Sequence, residues 1–229
     1  VMIAFGATAA LALSVEPWVL PAIVLPFALT HLAVGQSIAL REEERTALAA
    51  LVDIVELRDP YTAGHSRRVA QTARALARKL GKTEEEADLI ESAGRVHDLG
   101  KVAVDPNVLL KTGKLNDDEW AQMQLHPIYG ADVVKAFSAY EHGVRLVRHH
   151  HERWDGKGYP DGIAGEAIPF GARVLAVADT FDALTSDRPY RKGMSVEKAV
   201  AILREGSGSQ WNSAVVEALI AILAESPEL

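Results

Sequence analysis

Charge is spread so unevenly along this chain that its two parts cannot share one solvent. Residues 1–40 contain no lysine or arginine and a single acid, Glu16, so they carry -1 of the formal net charge of -7 and residues 41–229 carry -6. Trp18 to Leu40 is 23 residues long, with His31 and Gln36 its most polar members. As a helix it is long enough to cross a hydrocarbon core of about 30 Å, and Trp18 suits the interface where aromatic rings gather. Val1 to Val15 is shorter, and Glu16-Pro17 marks a turn. The expected arrangement for 1–40 is therefore the end of one membrane helix, a tight turn and a complete second span, in a chain that is a fragment of something longer. Two readings compete with it. A signal peptide would carry a basic n-region, which is absent here, and a buried core helix pair would have to accommodate Pro17, Pro21 and Pro26. Arg41 and Arg45 after the span favour a cytoplasmic C-terminal side. The expected location is the cytoplasmic membrane, with the rest of the chain facing the cytoplasm. The lack of cysteine fits a reducing compartment.

The part after residue 40 is mildly acidic and has no basic run or aromatic-basic interleaving, so a nucleic-acid polymer is not an expected partner. Its regular elements read as helices, although Arg173 to Asp179 could be strand or helix by composition. Residues 41–57 place Leu48, Leu51, Val52 and Val55 in an apolar stripe, which suits a linker or stalk helix. That stripe is compatible with a homodimer, or with packing on its own domain, since a coiled coil needs three or four heptads. Residues 58–229 form the expected soluble domain.

Within that domain, chemistry-bearing residues fall on apolar helix faces. His65, Val69, Thr72 and Leu76 are spaced i, i+4, i+7 and i+11 on a helix that ends at Gly81. Thr83 to Glu86 reads as a capping box, and the helix it opens carries Ala87, Ile90, Ala93 and His97 on one side. Asn116 to Glu119 starts another helix, with Met123 leading to His126 before Pro127. A helix predicted over Val144 to His151 turns His150 and His151 inward and His149 outward, at about 100° per residue. Glu152 to Pro169 is a glycine- and proline-rich loop. After it, the spacing of Leu175, Asp179 and Asp182 favours helix, with Asp179 pointing in, where a carboxylate needs a cation. Val196 to Arg204 and Ser213 to Leu223 close the domain.

The inward donors are then His65, His97, Asp98, His126, His150, His151 and Asp179. Five imidazoles and two carboxylates exceed what one metal uses, and a structural zinc site would favour four ligands and usually thiolates. Two metals sharing a carboxylate would use all seven. These residues, with Tyr61-Thr62-Ala63-Gly64-His65, His97-Asp98-Leu99-Gly100-Lys101, His150-His151-Glu152, Gly158-Tyr159-Pro160 and Arg188-Pro189-Tyr190-Arg191, resemble the HD-GYP subgroup of the HD phosphohydrolase superfamily. The resemblance runs from about Leu57 to the C-terminal helices and implies an all-α HD-fold bundle with additional C-terminal helices. It implies an enzyme that hydrolyses cyclic di-GMP to linear pGpG, in some members onward to GMP, in bacterial second-messenger signalling.

Carried over by motif, His65, His97, Asp98 and Asp179 would hold one metal, and His126, His150 and His151 the second, with Asp98 bridging. Asp98 and Lys101 would be catalytic. Lys101, Tyr159, Arg188 and Arg191 would meet the substrate. Some members of the subgroup have a glutamate four residues before the first histidine, associated with a third metal; Tyr61 stands there, which favours two. Gln210-Trp211-Asn212-Ser213 also departs from the segment common in the subgroup. Two divalent ions can neutralise an anionic diester and acidify a bridging water into the attacking hydroxide. Nitrogen and oxygen donors without thiolate admit iron, manganese, nickel or zinc, and the subgroup suggests iron or manganese. The alternatives are an HD-type hydrolase of another nucleotide, and a receptor that binds cyclic di-GMP without cleaving it. The His150-His151 pair and the Gly-Tyr-Pro loop argue against the first, and the intact ligand set against the second.

Overall fold

The computed structural model describes residues 19–58, 64–187 and 192–225. Among them the regular elements are all helices, apart from one isolated bridge between Ser207 and Trp211. The first, α1 (Val19–Arg58), is continuous, while the chain divides into two compact units, Val1–Glu43 and Glu44–Leu229. In the first unit every residue from 21 to 40 is exposed, including Ile23, Leu25, Phe27 and Leu32. Pro26 lies inside the helix, and Thr30 Oγ1 donates to its carbonyl at 2.7 Å. This helix is long and apolar enough to cross a membrane. The shorter apolar segment, the Glu16-Pro17 turn and Trp18 lie outside the described residues.

In the second unit, the C-terminal part of α1 divides the predicted stripe. Leu48 and Val52 are buried in the domain core and Val55 is half-buried, whereas Leu51 is exposed together with Ile54. Helix α2 (His65–Lys79) buries Val69, Ala73 and Leu76, and ends where Gly81 adopts a left-handed φ of 77° and Lys82 N–H donates to Ala77 O at 3.0 Å. The capping box on α3 (Glu84–Val96) forms as expected. Glu86 N–H donates to Thr83 Oγ1 at 3.2 Å and Thr83 N–H to the Glu86 carboxylate at 3.0 Å. A short 3₁₀ turn (Leu99–Ala103) follows, then α4 (Pro106–Leu109), α5 (Asp117–Met123) and α6 (His126–Val134).

The segment after the long loop, ambiguous by composition, is helix α8 (Phe170–Thr185), and it is the spine of the core. Val174, Leu175, Val177, Ala178 and Phe181 on α8 pack with the apolar faces of α2 and α3, and α9 (Val196–Glu205) and α10 (Ser213–Glu225) close the bundle with Leu203, Val216 and Leu219. One predicted helix is shorter than expected. Helix α7 covers Val144–Arg148, and His149, His150 and His151 lie in the turn beyond it. The reason is local: His150 Nδ1 pairs with the Val147 carbonyl at 2.6 Å, the acceptor that the next helical turn would use, while His149 Nδ1 meets the Arg145 carbonyl at 2.7 Å.

Candidate metal centre

Five elements bring their donors to one place. His65 opens α2, His97 and Asp98 follow α3, His126 opens α6, His150 and His151 follow α7, and Asp179 lies on α8. Helix geometry explains why they converge: each of His65, Asp179 and the α3 terminus extends an apolar face already committed to the core. His65, His97, Asp98, His126 and His150 are buried. Their ligand atoms form two groups, Asp98 with His126, His150 and His151, and Asp98 with His65 and His97, the atoms of each lying within 4.8 Å of one another. Asp98 belongs to both. Its Oδ1 is 3.3 Å from His126 Nε2, and its Oδ2 is 3.6 Å from His97 Nε2 and 3.7 Å from His65 Nε2. Asp179 Oδ1 approaches His65 Nε2 at 3.3 Å.

Three of the histidines have their second ring nitrogen fixed by a backbone carbonyl. His97 Nδ1 pairs with Gly94 O at 2.7 Å, His126 Nδ1 with Met123 O at 2.8 Å, and His150 Nδ1 with Val147 O at 2.6 Å. A carbonyl only accepts, so each of these Nδ1 atoms carries a proton, which leaves Nε2 as the atom that can offer a lone pair. His97 Nε2 is buried and has no hydrogen-bond partner. A buried lone pair without a donor, among imidazoles with fixed tautomers and ionised carboxylates, is what a divalent cation needs.

The electrostatics agree. Burial pushes His97, His150 and His151 down, the last to about 3, and neighbouring imidazoles add to the effect on His150 and His151. Burial alone would raise Asp98, but the Lys101 ammonium together with His97 and His126 outweighs it and holds the carboxylate well below the usual range. Lys101 Nζ lies 2.5 Å from Asp98 Oδ2. For His65, burial opposes the charged ring, yet Asp179 and Asp182 overcome it and raise the imidazole to about 10. The centre thus keeps its imidazole lone pairs free on one side and stabilises positive charge on the other.

Three supporting residues escaped the sequence reading. By spacing Asp182 marks only the helix register, but its Oδ2 takes His65 Nδ1 at 2.7 Å, and Arg68 Nε donates to its Oδ1 at 2.5 Å. The i+3 spacing from Asp179 was the available signal. Glu56, near the end of α1, accepts N–H bonds from Gly64 and Ser66 at 2.8 Å each, on either side of His65. It caps a helix whose own N-cap residue, Gly64, has no side chain to do so. His149 is buried, not outward as predicted: its Nε2 meets Asp161 Oδ2 at 2.9 Å, beside the two-point Arg148–Asp161 pair. It anchors the loop after Pro160 and stands apart from the ligand groups. Replacing Asp182 by asparagine is expected to weaken metal binding about 10- to 100-fold, because His65 loses its charged orienting partner. Metal competition against a chelator would read this, and an unchanged affinity would remove Asp182 from the site.

Tyr159 closes one side of the centre, with its ring 4.9 Å from that of His151. Burial, reinforced by the charges of Asp98 and Asp179, raises its hydroxyl above the ordinary range, so it stays protonated as a donor. Arg188 and Arg191 lie outside the described residues, as does Tyr61.

A family model described as "HD domain" matches residues 49–215. The cyclic di-GMP phosphodiesterase response regulator RpfG of Xanthomonas campestris pv. campestris is 42% identical over 181 residues, 78% of this chain and 48% of the relative. The 3'3'-cGAMP-specific phosphodiesterase 3 of Vibrio cholerae is 39% identical over 158 residues, 69% of this chain and 34% of the relative. The chain therefore spans half or less of the length of these curated relatives. Among solved structures, Bd1817, an HDG"Y"P protein from Bdellovibrio bacteriovorus, superposes with a TM-score of 0.61 at 20% identity, over 80% of this chain and 63% of that one.

Proposed function

Because the chain belongs to the HD domain family, we propose that its soluble unit is a metal-dependent phosphodiesterase that opens cyclic di-GMP to linear pGpG. The observation that carries this reading is Asp98 placed in both ligand groups. His65, His97, Asp98 and Asp179 would hold one divalent ion, and Asp98, His126, His150 and His151 the other; iron or manganese is the expected metal. Bound ions of this kind neutralise a phosphodiester and lower the pKa of a coordinated water. The protein's own groups do the rest. Lys101, beside the shared carboxylate, offers a positive charge to the scissile phosphate. Tyr159 offers its hydroxyl proton to the substrate and excludes water from the His151 side. Arg188 and Arg191 belong to the reading through their motif, as contacts for the ligand phosphates. The apolar part of α1 would place the enzyme at the cytoplasmic membrane, with the second unit in the cytoplasm. A homodimer through α1 has support in the exposed Leu51 and Ile54.

A second reading of the substrate has its own support, since one relative is named for 3'3'-cGAMP. The test is to purify the full chain without oxygen, load it separately with iron, manganese and zinc, and offer both cyclic dinucleotides. Metal-dependent linear product from cyclic di-GMP is expected. Product from 3'3'-cGAMP alone would change the substrate, and binding without product would replace the enzyme by a receptor. A monomer mass at all concentrations in the same preparation would remove the dimer.

A further inference from the structure

The three described tryptophans occupy different environments. Trp211 is buried in the core, and Trp154 lies under the Arg173 guanidinium, 5.4 Å from its ring centre. Trp120 is 47% exposed. An indole gains most from burial, although single exposed apolar residues occur on any surface. Its location separates these cases. The Trp120 ring meets Tyr159 edge to face at 6.1 Å, and Tyr159 in turn lies against His151 at 4.9 Å. His151 is in the ligand group built on Asp98. Trp120 also rides on α5, the helix whose Met123 carbonyl fixes His126 Nδ1 at 2.8 Å. An open aromatic ring is thus held two ring contacts from the metal centre, on a helix tied to one of its histidines.

We propose that Trp120 is the platform on which a purine base of the cyclic dinucleotide stacks while the phosphate lies at the metal centre. The proposal rests on the phosphodiesterase reading and deepens it. The neighbouring aromatic, Tyr159, cannot take this role as well: it is packed against His151 on one side and meets Trp120 on the other. Stacking uses the π-face that every base has, so it sets affinity with little choice between guanine and adenine. Trp120 therefore serves both candidate dinucleotides, and discrimination between them falls to other groups.

The test measures binding of cyclic di-GMP and 3'3'-cGAMP, and turnover of each, by the metal-loaded wild-type chain and by Trp120→Ala and Trp120→Phe. Trp120→Ala is expected to raise Kd and KM for bound dinucleotides roughly 5- to 100-fold, with kcat and metal content near wild type, and Trp120→Phe to recover most of the affinity. Unchanged Kd and KM in Trp120→Ala would overturn the proposal. So would equal losses of kcat and metal content in both variants, which would mark Trp120 as a packing residue of α5. A wild type that binds but does not cleave sinks the phosphodiesterase reading alone, because the binding comparison still reads the stacking. A wild type that neither binds nor cleaves sinks both.

Discussion

Replacing Asp98 by asparagine is expected to abolish hydrolysis, lowering kcat/KM by on the order of 10³-fold or more, or about 4 kcal/mol of barrier. The size of the effect follows from the position of the carboxylate. His65, His97, His126, His150 and His151 each belong to one group, whereas Asp98 belongs to both, with Oδ1 on His126 and Oδ2 toward His65 and His97. Asparagine keeps the shape but removes the charge that Lys101 holds in place and presents an amide nitrogen to one side. Metal content distinguishes this loss from any other. His150→Ala should lose one ion per chain and keep the other, while Asp98→Asn should lose both, with far-UV dichroism unchanged. An Asp98→Asn protein that retains both ions would show that the two groups do not depend on a shared carboxylate.

Gly100→Ala is expected to damage the centre, although Gly100 itself supplies no ligand. A Cβ at Gly100 would run into the His126 carbonyl and the Gly130 amide, both backbone atoms that cannot rotate away. The constraint is distance, since Gly100 has an ordinary negative φ. The 3₁₀ turn carrying Lys101 and the start of α6 lie backbone to backbone there, which is how His126 comes within 3.3 Å of Asp98. Forcing the two apart should cost roughly 1–3 kcal/mol of stability or more. It should also cost about 10²-fold in activity, the usual penalty for a misplacement near 1 Å. Thermal unfolding and kcat together test this. Activity within threefold of wild type would mean that the contact does not set the geometry of the centre.

The same glycine shows what kind of information the chain displays openly. The spacing within His97-Asp98-Leu99-Gly100-Lys101 is visible as a motif, but the reason for its glycine lies thirty residues away at Gly130. Helix positions were legible where the physics is local: the Thr83 box, the Asn116 box and the Gly81 stop all form as expected. Periodicity failed where a local hydrogen bond overrode it. Counting 100° per residue past Arg148 continues a helix that stops there, where the His150 ring takes up the Val147 carbonyl that the next helical turn would use.

By itself, then, the sequence determined the separation of an apolar segment from a charged remainder, the all-helical class and the set of inward donors. Each depends on residue type and near-neighbour spacing. Only the tertiary structure decided how those donors divide, that Asp98 alone belongs to both groups, and that Asp182, Glu56 and Asp161 hold His65 and the Tyr159 loop in place. These partners join residues as far apart as 117 positions. Such pairs leave no periodic trace in a sequence, because packing of whole helices, not spacing along the chain, sets the distance between them.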